Sequence, residues 1–547
     1  MLFEITSKTI GLFSQWIRPN LSSFTTHRQP LIWMLGIIIG IGAAILVVLF
    51  NEFIGFVQYV WSGERSEIFL AKLKDVHFLV ILLTPAAGGL IVGLLLQFVL
   101  KIHRAGSVAD VMEARHVSGR KLSFREGVWS AIVTVISLGA GASAGREGPV
   151  IHLGASFASS LASKMKLPEK SSRTLLAAGA ASAVSASFNA PIAGVLFAHE
   201  VILGHYSARS FVPIVLSSVS GTVISRLWLG EDTVFSIPSY EIISYFEFPA
   251  FFLLGMVCAF VAIVFQFSLF LADYSAKKLD LPLWIRPVLG GLALGIIGTY
   301  YPQILGIGYE TTNDALWTRI PVMLMVVLIT LKIFASALTY ASRFGGGVFS
   351  PALYLGALTG GVFGITAAGI LPEMASDPGL YAILGMGAVA ATVIGAPIST
   401  TVIAFELTGG YTLSIALLLT IAVSHGINQA IHGRSFFHWQ LELRGLDVRH
   451  GPYRAMLRNL WVSDIMIELD GSASGQGDDV LAEGDVLVLK STDNFETALK
   501  LFDETGEMRL PVVGSNDHRK IIAWAEYTNA IDLINQSLID VQEEEHQ

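Results

Sequence analysis

Glu147 is the first candidate for chemistry, because it is an acidic side chain within a long apolar part of the sequence. It lies in the motif Gly145-Arg146-Glu147-Gly148-Pro149. A carboxylate within a membrane span is energetically costly and usually belongs to an ion pathway or a proton relay. The alternative interpretation is a structural ion pair with the neighbouring Arg146. We favour a Glu147 that faces a pathway, with Arg146 supporting the loop.

Three clusters of glycine and small residues indicate how Glu147 would be positioned. They are Gly139–Gly145, Gly345-Gly346-Gly347 and Gly385-Met386-Gly387, and each is followed by a proline. Glycine lowers helix stability within a span, and proline suits the first turn of a new helix. The pattern therefore predicts that Gly145–Pro149 and Gly347–Pro351 are loops that lead into helix N-termini, whose free N–H groups and partial positive charge bind anions. The alternative is that the small residues only let helices pack closely.

A carboxylate placed among such N–H groups can occupy the position of an anion. We therefore expect Glu147 to block the anion site when it is charged. When protonated or displaced, it would leave the site to the ion. One residue would then serve as both gate and proton acceptor.

Other polar clusters carry weaker signals. His199 and His205 are six positions apart, whereas a zinc-binding helix needs four, so no metal is expected. The glycine run before Arg146 lacks the Lys-Ser/Thr pair of a phosphate-binding loop. We expect no cofactor. The sequence shows no pair of a nucleophile and a base, so it gives no indication of an enzyme. Glu200 and Glu406 hold equivalent positions in an internal repeat, and we expect both to stabilise helix ends.

The composition indicates a membrane protein. Only 14% of the residues are charged and the mean hydropathy is +0.62, values that a soluble chain of 547 residues would not show. Five stretches are long enough to cross a bilayer as helices: Leu31–Phe50, Phe78–Leu100, Phe251–Ala272, Val322–Ala341 and Leu413–Ile431. The single cysteine, Cys258, excludes an intrachain disulfide. The net charge of −8 gives no sign of a nucleic-acid partner.

An internal repeat organises the apolar part of the chain. Pro191 precedes Glu200 by nine residues, and Pro397 precedes Glu406 by the same distance. Pro149-x-x-x-Leu-Gly-Ala also recurs from Pro351. We infer two homologous halves, at about residues 80–230 and 285–435. In transporters such halves often lie in inverted topology, with the binding site at their interface near mid-membrane.

The motifs resemble those of the CLC family of chloride channels and transporters, over about residues 30–540. Gly145–Pro149 is similar to the signature whose glutamate is the external gate, and Asn189–Glu200 is similar to another. Gly347-Val348-Phe349-Ser350-Pro351 is similar to the element whose amides bind the central anion. The resemblance implies chloride or a similar anion as cargo, possible proton partners, and a homodimer in the lipid bilayer with one pore per subunit. It places the anion at Gly148, Val348 and Phe349.

Three positions depart from the family pattern. The anion-binding serine falls on Gly106, with Ser107 one step later, and the inner tyrosine corresponds to Phe437. Exchangers usually carry an inner proton glutamate where this chain has Val201. Because valine cannot relay a proton, we favour passive, channel-like anion flow gated by Glu147. Proton-coupled chloride antiport is the alternative, and a carrier of a small organic anion is a more distant one.

The charge distribution and the resemblance together predict the domains. We expect a cytosolic N-terminal segment (1–30), a transmembrane domain (31–435), a linker (436–460), a single degenerate CBS-like motif (461–540) and an acidic tail (541–547). Basic residues after the last span place the C-terminus in the cytosol of a multi-pass protein of the cell (inner) membrane. Glu526 and Asn529 stand where nucleotide-binding CBS motifs carry Thr/Ser and Asp, so nucleotide binding is not expected. The predicted fold is an all-α polytopic membrane protein, with two inverted repeats of broken and re-entrant helices and a small α/β segment.

Overall fold

The apolar stretches of the sequence form helices, because a backbone in hydrocarbon must satisfy its own hydrogen bonds. The structure is a computed structural model that describes residues 22, 24–26, 28–64, 70–73, 75–117, 119–230, 235, 242–373, 375–408, 411–446, 461–468, 488–513 and 521–535. Most of the N-terminal segment, residues 447–460 of the linker and the acidic tail lie outside this part. The chain divides into two compact units, with a boundary between Phe437 and His438.

The first unit is entirely helical in its described part. Its helices are α1 (Gln29–Ser62), α2 (Leu70–Leu73), α3 (Phe78–Phe98), α4 (Val108–His116), α5 (Phe124–Gly139), α6 (Glu147–Lys164), α7 (Glu169–Phe188), α8 (Pro191–Phe197), α9 (Ala208–Leu229), α10 (Phe248–Lys278), α11 (Ile285–Tyr300), α12 (Tyr309–Leu316), α13 (Val322–Ala341), α14 (Phe349–Ile370), α15 (Pro378–Ile394), α16 (Pro397–Thr408) and α17 (Tyr411–Ile431). Helix α18 (Phe436–Glu442) crosses the boundary between the units. Seven helical segments of the described chain are long and apolar enough to cross a membrane. The five predicted spans are confirmed as helices α1, α3, α10, α13 and α17.

The two halves contain the same series of helices. Helices α3–α9 of the first half correspond in order to α11–α17 of the second. In each half a pair of glycines brings two long helices into backbone contact. In the first half, a Cβ on Gly154 of α6 would lie 2.6 Å from the carbonyl oxygen of Gly179 in α7. Gly356 and Gly385 make the equivalent contact between α14 and α15. The predicted inverted-repeat architecture is confirmed.

The third glycine cluster does not interrupt a helix. The cluster Gly385-Met386-Gly387 lies within α15, which runs without interruption from Pro378 to Ile394. Position 385 requires a residue without a side chain, because the backbone of α14 lies against it at Gly356. Here close packing, rather than a loop leading into a helix, explains the small residues.

The second unit is a small α/β segment. Strands β1 (Met466–Glu468), β2 (Leu489–Lys490), β3 (Arg509–Val513) and β4 (Ile521–Glu526) form a sheet of order β1-β4-β3-β2. Helix α19 (Phe495–Thr505) precedes β3, and residues 527–535 are helical after β4. The predicted β-β-α order is therefore confirmed, and its helix begins two residues before Asn529. Buried side chains such as Phe495, Phe502 and Val512 form its core.

Candidate functional site

The loops that precede α6 and α14 meet between the two halves. Gly145 and Gly347 form an antiparallel bridge, in which each amide donates to the other's carbonyl oxygen at 2.7 Å. These two residues are equivalent in the repeat. Each half therefore contacts the other through the same position of the repeat. A Cβ on Gly145 would lie 2.9 Å from the Ser350 amide nitrogen. Only glycine allows this approach, which brings the first turns of α6 and α14 together.

Glu147 is the first residue of α6, and its side chain lies at this junction. It is only 2% exposed. The Ser350 hydroxyl, in the first turn of α14, lies 2.8 Å and 2.7 Å from the two carboxylate oxygens. The Tyr309 hydroxyl, from the start of α12, donates to Oε1. The carboxylate of Glu147, in the first half, is thus held by hydroxyl groups of the second half.

Arg146, next to Glu147 in the sequence, contacts Asn51 and the ring of Tyr309. The guanidinium donates to the Asn51 side-chain oxygen at 3.3 Å and lies 5.1 Å from the centre of the Tyr309 ring. In the described part of the chain, the side-chain hydrogen bonds of Glu147 go to Tyr309 and Ser350. These hydrogen bonds favour a Glu147 that lies at the junction over a structural pair with Arg146.

Tyr309 and Ser350 were not among the residues expected at the site. Ser350 lies within the Gly347–Pro351 motif, directly after two residues expected to bind the anion. Tyr309 carries no motif of its own. However, the offset of 202 positions between Gly145 and Gly347 places it opposite Ser107. Applying the repeat to that serine would have indicated Tyr309.

Three of the expected anion-binding residues lie at the junction. Gly148 is in the first turn of α6, and its amide nitrogen would lie 3.2 Å from a Cβ on Gly347. Phe349 is the first residue of α14, Val348 directly precedes it at the N-cap, and both are buried. Amides in the first turn of a helix have no partner four residues earlier, which makes them donors for an anion.

The other expected residues have different surroundings. The Gly106 amide donates to the Ser130 hydroxyl at 2.6 Å. The Ser107 hydroxyl and amide both donate to Asp110, which lies in the first turn of α4. Phe437 is buried against Phe436, with ring centres 6.0 Å apart. Val201 is buried in the π-helical turn Ala198–Leu203.

Glu200 and Glu406 stabilise helix ends, each in the opposite half. The Glu200 carboxylate accepts hydrogen bonds from the amides of Ile398 and Ser399, at 3.0 Å and 2.7 Å, in the first turn of α16. Glu406 accepts from the first-turn amides of α8 at the same two distances. A carboxylate at a helix N-terminus accepts hydrogen bonds from the free N–H groups, and its negative charge is attracted by the partial positive charge of the helix dipole.

Comparison with known proteins identifies the family. The sequence profile described as "Voltage gated chloride channel" matches residues 88–429. The chain belongs to this family, the CLC family. It is 31% identical over 387 residues to the putative chloride channel protein ClcB-like of Ralstonia nicotianae, which covers 70% of this chain and 90% of that protein.

Two further relatives share a smaller part of their length with the chain. Chloride channel protein CLC-f of Arabidopsis thaliana is 33% identical over 72% of this chain, which spans 53% of that protein. The H(+)/Cl(−) exchange transporter ClcA of Vibrio parahaemolyticus is 30% identical over 55% of this chain and 66% of that protein. The chain thus spans about half of CLC-f and about two thirds of ClcA.

Solved structures share the fold. A slow cyanobacterial Cl−/H+ antiporter matches with a TM-score of 0.68 at 21% identity, covering 76% of this chain and 97% of that one. A eukaryotic CLC transporter matches with a TM-score of 0.66 at 17% identity, covering 92% and 98%. The chain is therefore a multi-pass membrane protein with the CLC fold.

Proposed function

We propose that the protein transports chloride or a similar small anion through the junction between its two halves, with Glu147 as gate and proton acceptor. One observation carries the proposal. A buried carboxylate lies at the first turns of two helices and is held by hydroxyl donors, which are groups that would also bind an anion. The carboxylate stands where the transported ion would bind.

The proposed site depends mainly on backbone donors. The first-turn amides of Gly148, Val348 and Phe349 would hold the anion once Glu147 leaves, and the hydroxyls of Ser350 and Tyr309 would be released to it. Position 106 is a glycine and position 437 is a phenylalanine, so neither side chain has a hydroxyl that could bind the anion. Each missing hydrogen bond weakens anion binding by about 0.5–1.5 kcal/mol, and more for a charged ligand.

We favour passive, channel-like flow over proton-coupled exchange. Val201 cannot carry a proton, and both oxygens of the adjacent Glu200 are engaged at the start of α16. Proton-coupled chloride antiport is the second candidate. It is favoured by the similarity to ClcA, which is named as an H(+)/Cl(−) exchange transporter, and by the proton-accepting capacity of Glu147.

Flux from liposomes tests the proposal. Purified protein is reconstituted, and chloride efflux and internal pH are recorded together, with protein-free liposomes as the control. We expect chloride efflux without uphill proton movement. Uphill proton movement driven by a chloride gradient would replace the channel mechanism with antiport. If neither chloride nor another small anion moves, the transport proposal is wrong.

We further propose that the protein works as a homodimer in the cell (inner) membrane, with its C-terminal unit in the cytosol. Basic residues after the last span, including Arg434 and Arg444, support this orientation. In detergent, the protein mass should be about twice the 58.9 kDa of one chain. A mass of one chain would contradict the dimer. Protease added outside intact cells should spare the C-terminal unit.

A further inference from the structure

Lys332 is a fully buried lysine in the interior of the first unit. It lies on α13 and is 0% exposed. Its ammonium donates to the carbonyl oxygens of Ile304 and Gly306, at 3.2 Å and 3.1 Å, and lies 4.9 Å from the centre of the Tyr354 ring. Within the described ranges no carboxylate lies within 4 Å of this ammonium. An ionisable group at such a position is costly to bury and is usually kept for a function.

Both carbonyls belong to the loop between α11 and α12. The Gly306 amide donates to the carbonyl oxygen of Gly141, in the glycine run that leads to Glu147. Gly306 has a φ of 64°, a conformation that favours glycine. The loop is therefore fixed on one side by Lys332 and on the other by the glycine run.

The same loop ends at the residue that contacts the gate. Gly308, with a φ of 91°, lies so close to α13 and α14 that a Cβ would be 2.8 Å from the Tyr354 ring and 3.3 Å from the Lys332 nitrogen. The next residue, Tyr309, starts α12 and donates its hydroxyl to Glu147. The position of that hydroxyl thus depends on a loop that Lys332 anchors.

We propose that Lys332 is a positioning residue for the Glu147 gate. By holding the carbonyls of Ile304 and Gly306, it fixes the start of α12 so that the Tyr309 hydroxyl meets the carboxylate. It acts through Tyr309 and does not contact the anion. This inference rests on the proposed role of Glu147 in gating.

The charged and titratable groups around this assembly are few in the described structure. Arg146 lies over the Tyr309 ring, and α1 contributes the neutral Asn51 to that guanidinium. His152 lies further along α6, with its Nε2 2.6 Å from the position of a Cβ on Gly106. Helix α14 contributes Tyr354 beside Lys332. Substituting Lys332 leaves all of these groups in the protein, so a change in pH response can be traced to the anchor.

The test is a set of chloride flux measurements against pH on the full chain in liposomes. Flux should rise as pH falls, because protonation releases Glu147 from the site. Lys332→Met should move the midpoint of this rise to higher pH by about one to two units, because the carboxylate loses its hydrogen bond from Tyr309. Tyr309→Phe should give a similar shift. The double variant should shift no further than Tyr309→Phe alone.

Two results would overturn the proposal. An unchanged midpoint in Lys332→Met would show that the anchor is not needed. Additive shifts in the double variant would show that Lys332 acts directly through its charge. Lys332→Gln keeps an amide NH2 group that can donate to the loop carbonyls, so it should give a smaller shift, and it tests the proposal if the methionine variant does not fold. Thr330→Val, two positions away on α13, is the matched control and should leave the midpoint unchanged.

The failure of this inference can be told apart from failure of the proposed function. If Glu147→Gln retains the wild-type pH response, the gate assignment is wrong. If Glu147→Gln abolishes the response while both Lys332 variants keep the wild-type midpoint, only the role of Lys332 is rejected.

Discussion

Ser350→Ala should make the gate open at higher pH. The Ser350 hydroxyl lies 2.8 Å and 2.7 Å from the two oxygens of Glu147, but it has one proton and donates one hydrogen bond at a time. A hydrogen bond to a charged group contributes about 1.5–3 kcal/mol. Since 1.36 kcal/mol corresponds to one pH unit, losing it should raise the midpoint of chloride flux by about one to two units.

The assay is chloride efflux from liposomes over a series of pH values. Thr359→Val on the same helix is the matched control, because the Thr359 hydroxyl donates to the Leu355 carbonyl oxygen within the helix, at 2.7 Å. The control should keep the wild-type midpoint. A midpoint in Ser350→Ala that equals the wild-type value, or moves to lower pH, would refute the reasoning that this hydroxyl stabilises the closed gate.

Three further variants test other parts of the structure. Glu147→Gln should conduct at all pH values, because the gate has lost its charge; flux that still follows pH would assign gating elsewhere. Glu406→Gln should lower the melting temperature in detergent, because the amides of α8 lose a charged acceptor; an unchanged value would mean that this cap is dispensable. Gly356→Ala should destabilise the protein by about 1–3 kcal/mol, because its Cβ would press on the Gly385 carbonyl. Gly369→Ala, which meets nothing within 4 Å, is its control, and equal melting temperatures would contradict the close-packing argument.

The repeat was visible in the sequence because it keeps helix-starting prolines and the residues after them. Spacings such as Pro191 to Glu200 and Pro397 to Glu406 are local, so they survive in the linear sequence and indicate equivalent elements. The same spacings correctly placed Glu200 and Glu406 at helix ends. They could not show that each carboxylate reaches the opposite half, because that contact depends on how the halves pack.

The contacts of Glu147 were harder to predict than its position. Its motif marks a helix start within the membrane, but Tyr309 is 162 positions away and carries no motif. Glycine patterns were also ambiguous. Gly345–Gly347 lies in a loop and Gly385 lies within a continuous helix, yet both groups of glycines meet the backbone of a neighbouring helix. Composition alone does not separate these two uses of glycine.

The location of a bound anion tests the central claim most directly. Crystals of Glu147→Gln grown in bromide would show the ion by its anomalous scattering. Our account predicts a bromide peak between the first turns of α6 and α14, close to the amides of Val348 and Phe349 and the hydroxyl of Ser350. Bromide found only elsewhere in the protein, in a variant that still conducts, would contradict it.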